Sequence, residues 1–211
     1  RDPYMQAGLG NMWVNVGDSQ FHLPTRGTQV MRGYIGLVLP DLKKLVERLK
    51  SVRKDLADTK FGFKTPKGAK YVEVTCPWGN KFRCYGAGKS TAPIVLGMRY
   101  NQFDVPVGTA KGIAKFYREI MGANVTMGRW DKGPAARVCV GHRQELIFSE
   151  TRKKIPDFDG HHLQIYIANF SGPYQKLLDR GLIVQESNQH QYRFIDIVDP
   201  DDGKLLFKLD H

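Results

Sequence analysis

Apolar residues recur along this chain with two periods, and the switches between them mark its elements. Leu42, Leu45, Val46, Leu49 and Val52 follow the three-and-four spacing of one helix face, just after an apolar strand over Arg32–Leu39 that stops at Pro40-Asp41. Met12–Gly17 and Gln20–Leu23 read as two strands around a turn. Tyr71–Val74 and Lys81–Tyr85 read as two more, around Cys76-Pro77-Trp78-Gly79-Asn80. Residues 86–93 read as a linker. Beyond it, Met98–Val107 is a strand and Thr109–Met121 a helix that buries Ile113, Phe116, Tyr117 and Ile120 and stops at Gly122.

The pattern then repeats. Val138-Cys139-Val140-Gly141-His142-Arg143-Gln144 keeps the Val, Val, Gly and Gln of Val14-Asn15-Val16-Gly17-Asp18-Ser19-Gln20. His162–Ile165 follows the pattern of Tyr34–Leu37 and leads into a helix over Gly172–Arg180, as the earlier strand leads into its own. Asp199-Pro200-Asp201-Asp202-Gly203 takes the place of Cys76-Pro77-Trp78-Gly79. Three matches at one spacing of about 125 residues point to a duplicated domain, since that period is too long for a solenoid.

Asp159–Asn169 is the stretch with most chemistry in it. As a strand it sends His162, Gln164 and Tyr166 to one face and His161, Leu163, Ile165 and Ile167 to the other. The second face suits a core. The first suits a cavity or solvent, so His162 is a candidate metal ligand or a surface histidine at a strand end. Asn188–Phe194 is a second polar run, in which His190 or Tyr192 could act as an acid or base, or simply decorate a hairpin.

Composition narrows the setting. The 211 residues, 41% hydrophobic and 25% charged, suit a soluble globular protein of one or two domains. No apolar run is long enough to span a bilayer and no signal peptide opens the chain, which leads us to expect a soluble intracellular protein of the cytoplasm or an organelle interior. Cys76, Cys84 and Cys139 form no CxxC pair. The net charge of +11 is scattered, densest at Arg152-Lys153-Lys154, without a recognition helix or stacking motif, so nucleic acid is not the expected partner. Gly88-Lys89-Ser90-Thr91 lacks the earlier glycine and the following helix of a phosphate-binding loop.

With its order of strand, helix and strands given twice, and with Asn101–Val107 before Ile113–Gly122, Gln144–Phe148, His162–Asn169 and Val198–Gly203 in sequence, the chain resembles the vicinal oxygen chelate superfamily of glyoxalases, bleomycin-resistance proteins and extradiol dioxygenases. The resemblance covers nearly all of 94–211 and, more weakly, 11–85. It implies an α+β fold of tandem glyoxalase-like domains, built from βαβββ modules that form cupped mixed sheets with helices on the convex face. The domains would be 1–85, with its first strand and helix missing, a linker over 86–93, and 94–211.

The resemblance also implies a metal between paired modules. Its stations fall on Gln102, Glu145 and His162, and the fourth falls near Phe207, which cannot ligate. An amide, a carboxylate and an imidazole suit Zn, Fe, Mn or Ni, with open positions for a small oxygenated substrate, and Glu145 would then also be catalytic alongside His190 or Tyr192. In the N-terminal copy the stations fall on Phe21, Tyr34 and Arg83, where we expect no metal. Two functions follow: a metal-dependent lyase or dioxygenase acting in the C-terminal cup, or a non-catalytic binding or structural subunit without a metal. Half a module also leaves a sheet edge and an apolar face that residues before Arg1, or a protein partner, should cover.

Overall fold

The computed structural model describes residues 11–24, 27–131 and 133–211. The chain divides into two compact units, Arg1–Asn101 and Gln102–His211.

In the first unit, β1 (Asn11–Val16) and β2 (Ser19–Pro24) form an antiparallel hairpin that turns at Gly17, where φ is +62°. A side chain there would overlap the carbonyl oxygen of Leu96, so glycine is required on both counts. Then come β3 (Gly33–Leu39), α1 (Leu42–Ser51), β4 (Gly62–Lys64), β5 (Tyr71–Thr75) and β6 (Lys81–Gly86). They form one βαβββ module in the order β4-β5-β6-β3, with β3 parallel to β6 and the other pairs antiparallel. The parallel pair needs a crossover, which α1 begins, and Asp41 caps α1 by accepting from the Lys44 amide at 3.0 Å. The α1 stripe packs on Ile35, Leu37, Val72, Val74 and Cys84. The β1–β2 hairpin leaves Met12, Trp13, Val14 and Leu23 exposed, with the Trp13 and His22 rings stacked at 4.4 Å.

The second unit opens within β7 (Gly97–Pro106) and continues through α2 (Ala110–Glu119), β8 (Val125–Trp130), β9 (Gly133–Gly141) and β10 (Gln144–Thr151), in the order β7-β10-β9-β8. This is a second βαβββ module. Ile113, Phe116, Tyr117 and Ile120 are all essentially inaccessible, as the helical spacing predicts.

A third, looser module follows: an extended segment over 162–169, α3 (Ser171–Leu178), β11 (Ile183–Asn188), β12 (Gln191–Phe194), β13 (Asp196–Val198) and β14 (Leu205–Lys208). It packs on the same face of the sheet as α2. Phe103 of β7 and Phe148 of β10 meet Phe207, and Phe116 meets Phe194.

The expected strand over His162–Asn169 differs from its sequence reading. Burial alternates along it as predicted, with His161 buried, His162 exposed and Tyr166 89% exposed. Its ladder, however, is a single parallel bridge from His162 to Asp210, closed by the Leu163 amide donating to the Asp210 carbonyl at 3.0 Å. Among the described residues, Gln164 to Ala168 make no backbone hydrogen bond. In the first unit the equivalent strand, β3, runs five residues in register with β6. Hydrogen exchange should therefore be at least about a thousandfold faster for the amides of 164–168 than for those of β9 and β10. Equal protection would show that the segment has a partner.

Candidate functional site

Successive residues of β7 point to opposite faces. Phe103 and Val105 enter the core beneath α2, whereas Gln102 and Asp104 point to the other face. Gln102 is 1% exposed, and its amide is held at both ends. The Trp130 indole Nε1–H donates to Oε1 at 2.9 Å, and Nε2–H donates to Asp104 Oδ1 at 3.1 Å. Because indole only donates and a carboxylate only accepts, this pair fixes the orientation of the amide. The Trp130 carbonyl in turn accepts from the Ser149 hydroxyl at 3.1 Å.

The hairpin of β9 and β10 adds the charged half of the face. Its register puts Arg137 opposite Ile147 and Cys139 opposite Glu145, so Arg137 and Glu145 are diagonal neighbours. Arg137 grips Glu145 with two nitrogens: Nη2 donates to Oε2 at 2.7 Å and to Oε1 at 2.9 Å, and Nε donates to Oε2 at 3.2 Å. The same guanidinium lies 5.7 Å from the Trp130 ring centroid. Gln102, Trp130, Arg137 and Glu145 thus form one connected polar line on the face away from α2.

His162 lies elsewhere. Its neighbour His161 is buried against Phe103, with ring centroids 6.4 Å apart, and His161 Nδ1 is 2.7 Å from Asp159 Oδ1. Alternation turns His162 away from that contact, in the layer on the opposite side of the sheet from Gln102 and Glu145. The structure therefore joins two of the expected metal stations on one face and places the third in another layer. Phe207, the fourth station, is a core residue.

His190 is exposed at the β11–β12 turn, with Nε2 3.1 Å from the Gln189 amide nitrogen. Tyr192 is wedged against Phe170 and Tyr174, and its buried hydroxyl has no hydrogen-bond partner among the described residues. Burial pushes the Tyr192 pKa up to about 12, so the hydroxyl stays protonated at neutral pH. In the first unit, Arg83 lies 4.1 Å from the Tyr34 ring and 5.3 Å from the Tyr71 ring, and Phe21 packs on Phe82.

The donor set does not fit a divalent ion. An ion on Gln102 Oε1 would share that oxygen with the Trp130 N–H, and one on Glu145 would compete with a guanidinium already bound to both oxygens and would be repelled by it. Among the described residues, no group of three His, Cys, Asp or Glu side chains is placed to hold a metal ion. Nor is any helix among them long and apolar enough to cross a membrane.

Trp130 and Arg137 escaped the sequence reading. A plain hairpin turning at His142-Arg143 would put Arg137 and Glu145 on opposite faces, and the bulge between Gln144 and Glu145 is what brings them together. Trp130 sits on edge strand β8, whose Val-Thr-Met-Gly-Arg-Trp has too little alternation to read as a strand.

No family model matches the sequence, and no curated protein does. Solved structures do. A proposed dioxygenase from Bacillus subtilis subsp. subtilis strain 168 matches with a TM-score of 0.53 at 14% identity, over 85% of this chain and 61% of that one. Glyoxalase I from Zea mays matches with a TM-score of 0.50 at 17% identity, over 84% of this chain and 66% of that one. The chain therefore has the vicinal oxygen chelate fold, α+β and built from βαβββ modules. It spans less than two thirds of the length of each of these proteins.

Proposed function

We propose that the chain is a small-molecule-binding protein of this fold, that its site is the polar face carrying Gln102, Trp130, Arg137 and Glu145, and that it works without a metal held by Gln102, Glu145 and His162. One observation carries this reading: the two stations that share a face are already committed, Gln102 to Trp130 and Asp104, and Glu145 to Arg137. A guanidinium supplies the positive charge that a metal would bring, without open coordination positions for two substrate oxygens. A carboxylate that already accepts hydrogen bonds from an arginine on both oxygens is also poorly placed to take a substrate proton. Binding of a small oxygenated molecule, rather than its turnover, is the function best supported.

Elemental analysis, followed by calorimetric titration with Zn²⁺, Mn²⁺, Ni²⁺ and Fe²⁺, tests this reading. The protein should carry far less than one metal per chain and show no saturable site. His162→Ala should leave both results unchanged. Stoichiometric metal that is lost with His162 would overturn the proposal and restore a metal-dependent lyase or dioxygenase acting through Gln102, Glu145 and His162.

A further inference from the structure

We infer that the ligand of this face carries a carboxylate, which takes the place of the Glu145 carboxylate on Arg137 while its body lies along the Trp130 ring. The inference rests on the reading above and adds the class of ligand.

Three features lead to it. First, Arg137 already holds a carboxylate in the forked geometry that recognises one, and both partners remain open to solvent, with side chains 39% and 30% exposed. A pair so placed has little net worth to the fold and can exchange one carboxylate for another. Second, a flat indole stands beside the guanidinium and is kept from turning by its bond to Gln102. Third, there is room: Gly128 shares the face of Thr126 and Trp130 on β8, and a Cβ built there would meet nothing within 4 Å among the described residues. The surplus of 32 basic over 21 acidic residues draws anions toward the protein generally. Glu145 is then a built-in competitor. It keeps Arg137 oriented in the free protein and leaves when the ligand arrives.

The test is a titration with benzoate, a planar carboxylate, observed at the Trp130 indole N–H by nuclear magnetic resonance. Benzamide, its neutral analogue, is the control. Benzoate should shift the Trp130 signal saturably in the wild type and benzamide should not. Glu145→Gln should tighten benzoate about tenfold by removing the competitor, and Arg137→Gln should weaken it at least about tenfold. Arg137→Lys keeps the charge without the fork and should fall between the wild type and Arg137→Gln. A purely structural ion pair predicts the reverse for Glu145→Gln, no gain in affinity, and that result would overturn the inference. A shift by benzamide equal to that by benzoate would also overturn it, while leaving the face a small-molecule site. Loss of the metal-free reading is a separate outcome, read in the metal titrations alone.

Discussion

Phe207→Glu, which puts a carboxylate where the resemblance expects a fourth ligand, is expected to destabilise the protein by about 5 kcal/mol and to create no metal site. Phe207 is 5% exposed, and its ring lies 6.2 Å from both Phe103 and Phe148. Removing an aromatic ring from such a place costs about 3–5 kcal/mol. The glutamate must also either ionise in an apolar layer or stay protonated at a further cost. Nothing there repays it, because Gln102 and Glu145 face the other side of the sheet. Phe207→Leu, which keeps the site apolar, should cost about 1–2 kcal/mol. Urea denaturation of the three proteins, with zinc titration of each, checks the outcome. A stable Phe207→Glu protein that gained a zinc site would mean that this position faces a cavity.

The same residue shows where sequence and packing part company. The expected ligand stations follow order along the chain, and order is well preserved. Three modules recur, Asp199–Gly203 turns between β13 and β14 as Cys76–Asn80 turns between β5 and β6, and Gly141–Gln144 closes the β9–β10 hairpin. Parity was legible too: His161 goes in and His162 out, because a period of two survives even where the ladder does not form. Order and parity do not say which layer a module joins. That is decided by which apolar faces meet, and here Phe207, Phe194 and His161 meet Phe103, Phe148 and Phe116 on the helix side. The candidate site was legible in part for the same reason. Gln102 and Glu145 were found as polar residues on strands. Their partners depended on a tryptophan from an edge strand and on a register set by a bulge at Gln144/Glu145.

Below pH 6.5 the protein should lose stability steadily, by about 3 kcal/mol between pH 6.5 and 4, because of one buried histidine. His211 stacks on Phe194 with ring centroids 4.2 Å apart. Its Nδ1 is 2.7 Å from the Leu209 carbonyl oxygen, which can only accept, so Nδ1 carries the proton. Nε2 is therefore bare and accepts from the Tyr117 hydroxyl at 2.5 Å. Burial raises the Tyr117 pKa well above its usual value, which keeps that hydroxyl a donor. A neutral imidazole satisfies every group in this arrangement, and an imidazolium would bring a second donor against the Tyr117 O–H. Burial accordingly lowers the His211 pKa from 6.5 to about 4.

The sign follows from proton uptake. Between those two values the unfolded chain binds a proton at this position and the folded chain does not, so falling pH favours unfolding. Below about 4 both states bind it and the contribution levels off. Carboxylates and other histidines add their own slopes, so the measurement is a difference. In urea denaturation at half-unit steps from pH 7 to 4, His211→Phe should keep the ring stack and lose stability at neutral pH, because the Tyr117 hydroxyl is left without an acceptor. Its stability should then fall with acid about 1.4 kcal/mol per pH unit less steeply than the wild type's over the middle of that range. Parallel curves for the two proteins would mean that His211 is not held neutral and that the Tyr117–His211 contact does not couple the core of the second unit to pH.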